Sequence, residues 1–175
     1  MRLREFCDQK RLVTEKYYSI EEHYTEKNKK KTKVGLEKLI KEDPNFLDSY
    51  LLLKDIMECE DKGSKADQLL DKAYSIALGL ILDKNNKWPD RLEWDCQENR
   101  HIIRTFVIKG IYFWKNNEKE KALDIFLNLL HTDPSDDCGA RYFILGIKEG
   151  LKYDEFNKRF NSEGFWDMEI DDWFF

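Results

Sequence analysis

The chain has 175 residues, 41% of them hydrophobic and 37% charged, with 8 glycines and 3 prolines. That length supports one domain with a real core, and few helix breakers beside many charges favour helices with solvated faces; collagen-like, disordered and disulfide-scaffold chains are excluded. The formal net charge of −5 argues against a general nucleic-acid binder, which carries a basic surplus. The longest apolar run is seven residues, 76–82, whereas a bilayer span needs about 20. Met1-Arg2-Leu3-Arg4-Glu5 offers no apolar stretch for a signal peptide. A soluble, cytoplasmic protein with no membrane partner is expected. Cys7, Cys59, Cys96 and Cys138 lie 52, 37 and 42 residues apart, so no C-x-x-C pair exists and reduced thiols packed in a core are expected. His23, His101 and His131 stand singly, in no metal-binding motif.

In chain order, the first helical unit covers residues 13–46. It holds Leu36 and Leu39, stops at Asp43-Pro44, and carries Thr32 where later units have a small residue. Within it, residues 27–33 include Lys27, Lys29, Lys30, Lys31 and Lys33. This run reads as a solvated helix end or, alternatively, as a phosphate-contacting patch. The second unit, 47–80, places Tyr50, Leu53 and Met57 on one helix, turns at Asp61-Lys62-Gly63-Ser64, and places Ala66, Leu70 and Ala73 on the next. Residues 81–102 break the period. They are expected to form a loop through Asp83-Lys84-Asn85-Asn86-Lys87, after which Asp90 caps a helix running from about Arg91. In the third unit, 103–136, Phe106, Gly110 and Phe113 share one helix face. Asn116-Asn117-Glu118 turns the chain, Ala122, Phe126, Leu129 and Leu130 form a second face, and Asp133-Pro134 stops it. Gly110 and Ala122 let the two helices touch. The fourth unit, 137–170, has Phe156 in place of the alanine and a turn one residue long, with Phe160 beyond. The final stretch spaces Trp166, Ile170 and Trp173 on one face of an amphipathic helix that would cap the array, or offer an acidic-aromatic motif for self-association.

Tyr50, Ala66 and Leu70 correspond to Phe106, Ala122 and Phe126, and position for position these residues resemble the tetratricopeptide repeat, a 34-residue helix-turn-helix unit. The resemblance implies an all-α fold: a right-handed array of antiparallel helix hairpins, a TPR-like α-solenoid of about four repeats with a C-terminal capping helix, in one domain. Residues 94–145 are also similar to one branch of bacterial and archaeal repeat proteins. Arg100 and Arg104 precede the Asp133-Pro134 stop and the segment Asp136-Asp137-Cys138-Gly139-Ala140-Arg141-Tyr142, with His101 where that branch would carry proline. That likeness brings no assigned activity.

The family's concave groove, carried over residue by residue, falls on Asp55 and Glu58, on Arg104, Ile111 and Trp114, and on Arg141, Leu145 and Lys148. It would hold a peptide or partner protein and run from acidic to basic. The paired Lys and Asn clamp for chaperone tails is missing. Internal ion pairs of Arg104 and Arg141 with Asp136 or Asp137 are the structural alternative. No phosphate cradle, nucleophile elbow or metal motif is present. Cys96 and His101 could meet as a dyad, but two packed residues are the simpler reading. A non-enzymatic interaction scaffold without cofactor or metal is expected. The alternative is a nucleic-acid-associated or regulatory protein using the lysines of 27–33.

Overall fold

A computed structural model describes residues 3–162 and 165–166. The described chain is helical apart from one short pair of strands and an isolated bridge. It divides into two compact units, residues 1–105 and 106–175, with one helix continuing across the division.

The first unit contains α1 (Thr14–Glu22), α2 (Lys29–Glu42), α3 (Asp48–Glu58), α4 (Gly63–Ile81) and the start of α5 (Arg100–Lys115). Val13, Tyr17, Leu36, Leu39, Phe46, Leu53 and Ile56 form its core, with Tyr17 and Phe46 edge to face at 5.3 Å. A Cβ on Gly35 would meet Ile20 Cδ1 at 3.0 Å, so Gly35 supplies the close approach of α1 and α2, while Thr32 is buried beside it in sequence. Ala66 and Ala73 are fully buried on α4, where a side chain no larger than a methyl lets α3 pack tightly. The Ser49 side chain is buried on α3, and its Oγ has no hydrogen-bond partner among the described residues. A hydroxyl buried this way costs stability, so Ser49→Ala is expected to raise the urea midpoint, by up to about 1 kcal/mol of stability. A clear loss on denaturant titration would reveal a partner, such as an enclosed water.

The expected helix start at Asp90 is not present. Residues 82–96 are irregular, and α5 begins at Arg100 after a 3₁₀ turn at Gln97–Asn99. The Asp90 carboxylate instead accepts the backbone N–H of Arg4 at 2.7 Å. Arg4 O in turn accepts Asp90 N–H at 2.9 Å, and Glu5 bridges Arg91 in parallel. The Arg4 guanidinium donates to Ile81 O at 2.9 Å and to Lys87 O, capping the end of α4. Asp90 was claimed by a segment 86 residues away.

The second unit contains the remainder of α5, then α6 (Lys119–Thr132), α7 (Ala140–Lys148) and α8 (Tyr153–Phe160). Phe126 stacks on Phe143 at 4.8 Å, and Phe156 lies 5.1 Å from Trp114 and 5.7 Å from Phe160. Gly110 faces the Phe126 ring, 2.6 Å from where a Cβ would stand. Ala122 is fully buried. Ala122→Phe is therefore expected to overpack this unit and cost about 1–3 kcal/mol; an unchanged melting temperature would show that the register is wrong.

Among the described residues, three of the four hairpin turns repeat one geometry, the α1–α2 turn being the exception. Asp61, Asn117 and Gly150 all take positive φ, at 57°, 63° and 79°. The next residue's N–H then returns five positions: Lys62 to Met57 O, Glu118 to Phe113 O and Leu151 to Gly146 O, at 3.0, 2.8 and 3.0 Å. This closes each first helix by the same left-handed cap. The third turn follows the second by 33 residues, and α8 begins three residues after Gly150, whereas α4 and α6 begin two residues after Asp61 and Asn117. After α8, Asn161–Ser162 (β1) pairs antiparallel with Phe165–Trp166 (β2). Trp166, placed at the start of the expected capping helix, is thus in a strand, and the rest of that expected helix lies outside the described residues.

Candidate functional site

The first unit holds a cleft of about 380 Å³ whose walls come from residues 9–12, from Thr14, Glu15 and Tyr18, from Phe46 and Asp48, and from Gln97, Glu98, His101 and Arg104. Its base is a buried polar network. The Asp8 carboxylate accepts from Arg11 Nε and Nη2 at 2.6 and 2.9 Å and lies 2.9 Å from His101 Nε2. Arg11 Nη1 also reaches both Asp43 oxygens, at 3.0 and 3.1 Å. His101 Nδ1 accepts the Leu47 N–H at 3.2 Å, next to the first residue of α3. An accepting Nδ1 requires the proton on Nε2, which then donates to Asp8. Burial raises the Asp8 carboxyl, but the hydrogen bonds from His101 and Arg11 outweigh it and hold the group below its ordinary value. Both ring nitrogens of His101 are thus engaged, and its role is to join three segments.

The remaining network fixes the chain on either side. Asn99 donates to Phe6 O and Glu93 O, at 3.0 and 3.2 Å, and accepts the Asp8 N–H at 3.0 Å. Cys7, between them, is bonded to Cys96 in a disulfide that spans 89 residues. This corrects the expectation of four reduced core thiols and excludes the Cys96–His101 dyad in this state. Cys59 is free and exposed; Cys138 is free and half-buried. Cys7, Cys96 and Glu98 form one cluster of potential metal donors within 4.8 Å, with the two sulfurs bonded to each other. The sequence held no local sign of the bridge, because its halves share no motif.

Arg104, expected in the groove, does line the cleft. Its guanidinium makes a two-point pair with Asp48, Nε to Oδ1 at 2.9 Å and Nη2 to Oδ2. It also stands over the Trp94 ring at 5.8 Å, as Arg100 does at 5.2 Å. The expected partners Asp136 and Asp137 are therefore replaced by Asp48. Asp48 and Arg104 precede the aromatics Tyr50 and Phe106, respectively, by two residues. Around Arg104 the rim is apolar and open, with Leu12 87% and Tyr18 48% exposed. Asp55 and Glu58, also expected in the groove, are exposed but converge on one cation. Lys54 Nζ lies 3.2 Å from Asp55 and 2.8 Å from Glu58. Burial lowers the Lys54 pKa, yet the Glu58 hydrogen bond and both carboxylates raise it overall. Sequence reasoning missed Lys54, although its spacing of one and four was visible.

In the second unit, Trp114 is 3% exposed. Its Nε1 donates to Leu151 O at 3.0 Å, and its ring packs on Tyr153 and Phe156, so it is committed to the core. Arg141 donates from Nε to Asp136 Oδ2 at 2.6 Å, the expected pair. The Asp136 carboxylate also accepts the Ala140 and Arg141 N–H groups, at 2.6 and 3.1 Å, and so caps α7. Ile111 and Leu145 are half-buried and Lys148 is exposed. Of the basic run, Lys29 pairs with Glu26 at 2.6 Å and Lys33 with Glu60 at 2.8 Å. Lys33, then Lys62, hold the Glu60 carboxyl at about 2. Two of the five lysines thus already meet carboxylates.

No family model matches the chain, and no match was found among curated proteins or solved structures. No described helix is long and apolar enough to cross a membrane.

Proposed function

We propose that this chain is a non-enzymatic interaction scaffold whose hairpins form a tetratricopeptide-like right-handed array, and that it holds a peptide or a segment of a partner protein. The three equal hairpin turns support the repeat reading. One observation carries the binding reading: the cleft of the first unit sets exposed Leu12 and Tyr18 beside Arg104, Lys10, Glu15 and Glu98. A polar base under an open rim that sets apolar side chains among charged groups of both signs suits an amphipathic peptide, which gains affinity from a few apolar anchors and register from the charges. Exposed Asp55, Glu58 and Lys148 serve as further contacts.

The test is crosslinked capture from native extract by the wild-type chain and by a Leu12→Asp/Tyr18→Ser variant. Both positions are exposed, so the variant should keep its melting temperature and lose the specifically captured proteins. If it retains the same set, the cleft is not the binding site. A salt-sensitive gel shift abolished by neutralising Lys27, Lys30 and Lys31 would favour the nucleic-acid reading instead.

A further inference from the structure

We propose that the Cys7–Cys96 bond is a redox-controlled staple across the cleft, opened by dithiol reductants. This rests on the cleft being the ligand site. Cys7 stands just before Asp8 and the wall residues Gln9, Lys10, Arg11 and Leu12; Cys96 stands just before the wall residues Gln97 and Glu98. The crosslink therefore joins the roots of two walls of one cleft. Cys7 is exposed and Cys96 half-buried, so the bond is reachable by a thiolate, and exposed disulfides are the labile and regulatory ones. The segment carrying Cys96 lies in no helix. With the crosslink gone, residues 4–8 keep only hydrogen bonds and the Asp8 ion pairs as ties.

The surroundings also choose which sulfur is attacked. Cys7 is exposed, whereas Cys96 is half-buried with Glu98 Oε2 3.7 Å from its Sγ, so an incoming thiolate reaches Cys7 Sγ first. The reductant thiolate attacks Cys7 Sγ, the S–S bond breaks, and its electron pair goes to Cys96 Sγ. That sulfur takes a proton and can then donate its S–H to Glu98. The second thiol of the reductant attacks the mixed disulfide and releases Cys7, which is protonated in turn. The protein gains two electrons and two protons, and the dithiol becomes a cyclic disulfide. The Gln9–Leu12 wall is then held by the Asp8, Arg11, Asp43 and His101 network and by the backbone ties of Arg4, Phe6 and Asp8.

Trypsin reads the wall directly, because Lys10 and Arg11 are its cleavage sites. The full chain is digested briefly under native conditions, oxidised or after dithiothreitol. Cleavage at Lys10 and Arg11 should rise by roughly tenfold or more on reduction, since proteolysis follows the population of the open form. Cleavage at Lys30 and Lys31 should stay constant. Cys7→Ser should match the reduced rate without reductant. Equal cleavage at Lys10 and Arg11 in both states overturns the proposal. A second readout needs no variant: dithiothreitol followed by iodoacetamide on the native chain should label Cys7 and Cys96 along with exposed Cys59. Cys138 is the slow internal reference, its thiol pushed up to about 12 by burial and Asp136. If Cys7 and Cys96 label only after denaturation, the bond is structural and the proposal fails. Neither readout involves a bound peptide, so failure here is separable from failure of the interaction reading.

Discussion

Asp8→Ala is expected to cost about 3–5 kcal/mol, the range for breaking a buried ion pair on one side. The Asp8 and Arg11 side chains are 6% and 3% exposed. Removing the carboxylate leaves Arg11 with Asp43 alone and leaves the His101 Nε2–H without its acceptor. Since a domain is stable by about 5–15 kcal/mol, this one change removes a large part of the margin, read as a lower urea midpoint. Asp43→Ala should cost less, because that carboxylate is more exposed, at 21%, and Arg11 keeps Asp8. The pH dependence has a definite sign. The folded Asp8 carboxyl sits below the ordinary 3.8, so its stabilisation is fully present above that value. It is lost as pH falls below 3.8 and through the lower folded value. The gap between wild type and Asp8→Asn should therefore narrow in acid. A gap that stays constant down to pH about 2 would show that the Asp8 charge does not contribute.

Phe156→Ala is expected to cost about 3–5 kcal/mol, as for other fully buried aromatics. The ring is inaccessible and touches Trp114, Phe143 and Phe160. Its neighbour Gly146 gives the sharper test. A Cβ there would lie 2.5 Å from Phe156 Cδ2 and 2.8 Å from the Trp114 ring. Gly146→Ala gains about 1 kcal/mol of helix propensity and meets an overpacking cost of about 1–3 kcal/mol. It should destabilise the wild-type chain. In the Phe156→Ala background the clash with Phe156 is gone while that with the Trp114 ring remains, so the same substitution should cost clearly less than in the wild-type chain. If the two changes simply add, Gly146 is not glycine for want of room beside Phe156.

The hairpins were legible because their signals are local. Ala66 and Ala122 mark the close approaches, Asp61 and Asn117 supply the left-handed turn residue, and the apolar spacing assigns each face within one turn of helix. Phe156 in place of an alanine marked the atypical last unit, although the structure shows the relief at Gly146 rather than at the ring. The cleft was far less legible. Asp90 looks like any helix cap until Arg4 arrives to take its carboxylate, and Cys7 and Cys96 share no spacing rule across 89 residues. Arg104, expected in a groove, lines the cleft, but its partner was not foreseen, since every nearby acid has the same charge and only packing selects Asp48. Lys54 was hidden between the acids it neutralises.

The contacts of residues 4–11 also order events in time. Arg4 binds Ile81, Asp8 binds Asn99 and His101, and the separations run from 77 to 93 residues. During synthesis this stretch leaves the ribosome long before any of those partners exists, while α1 to α4 can fold among themselves from nearby contacts. Closing such distant pairs is the slow part of a folding reaction. Phe6, half-buried in the folded chain, therefore remains open to chaperones and to other nascent chains until about a hundred residues have emerged. This stretch docks after the helices α1 to α4 that follow it in the chain.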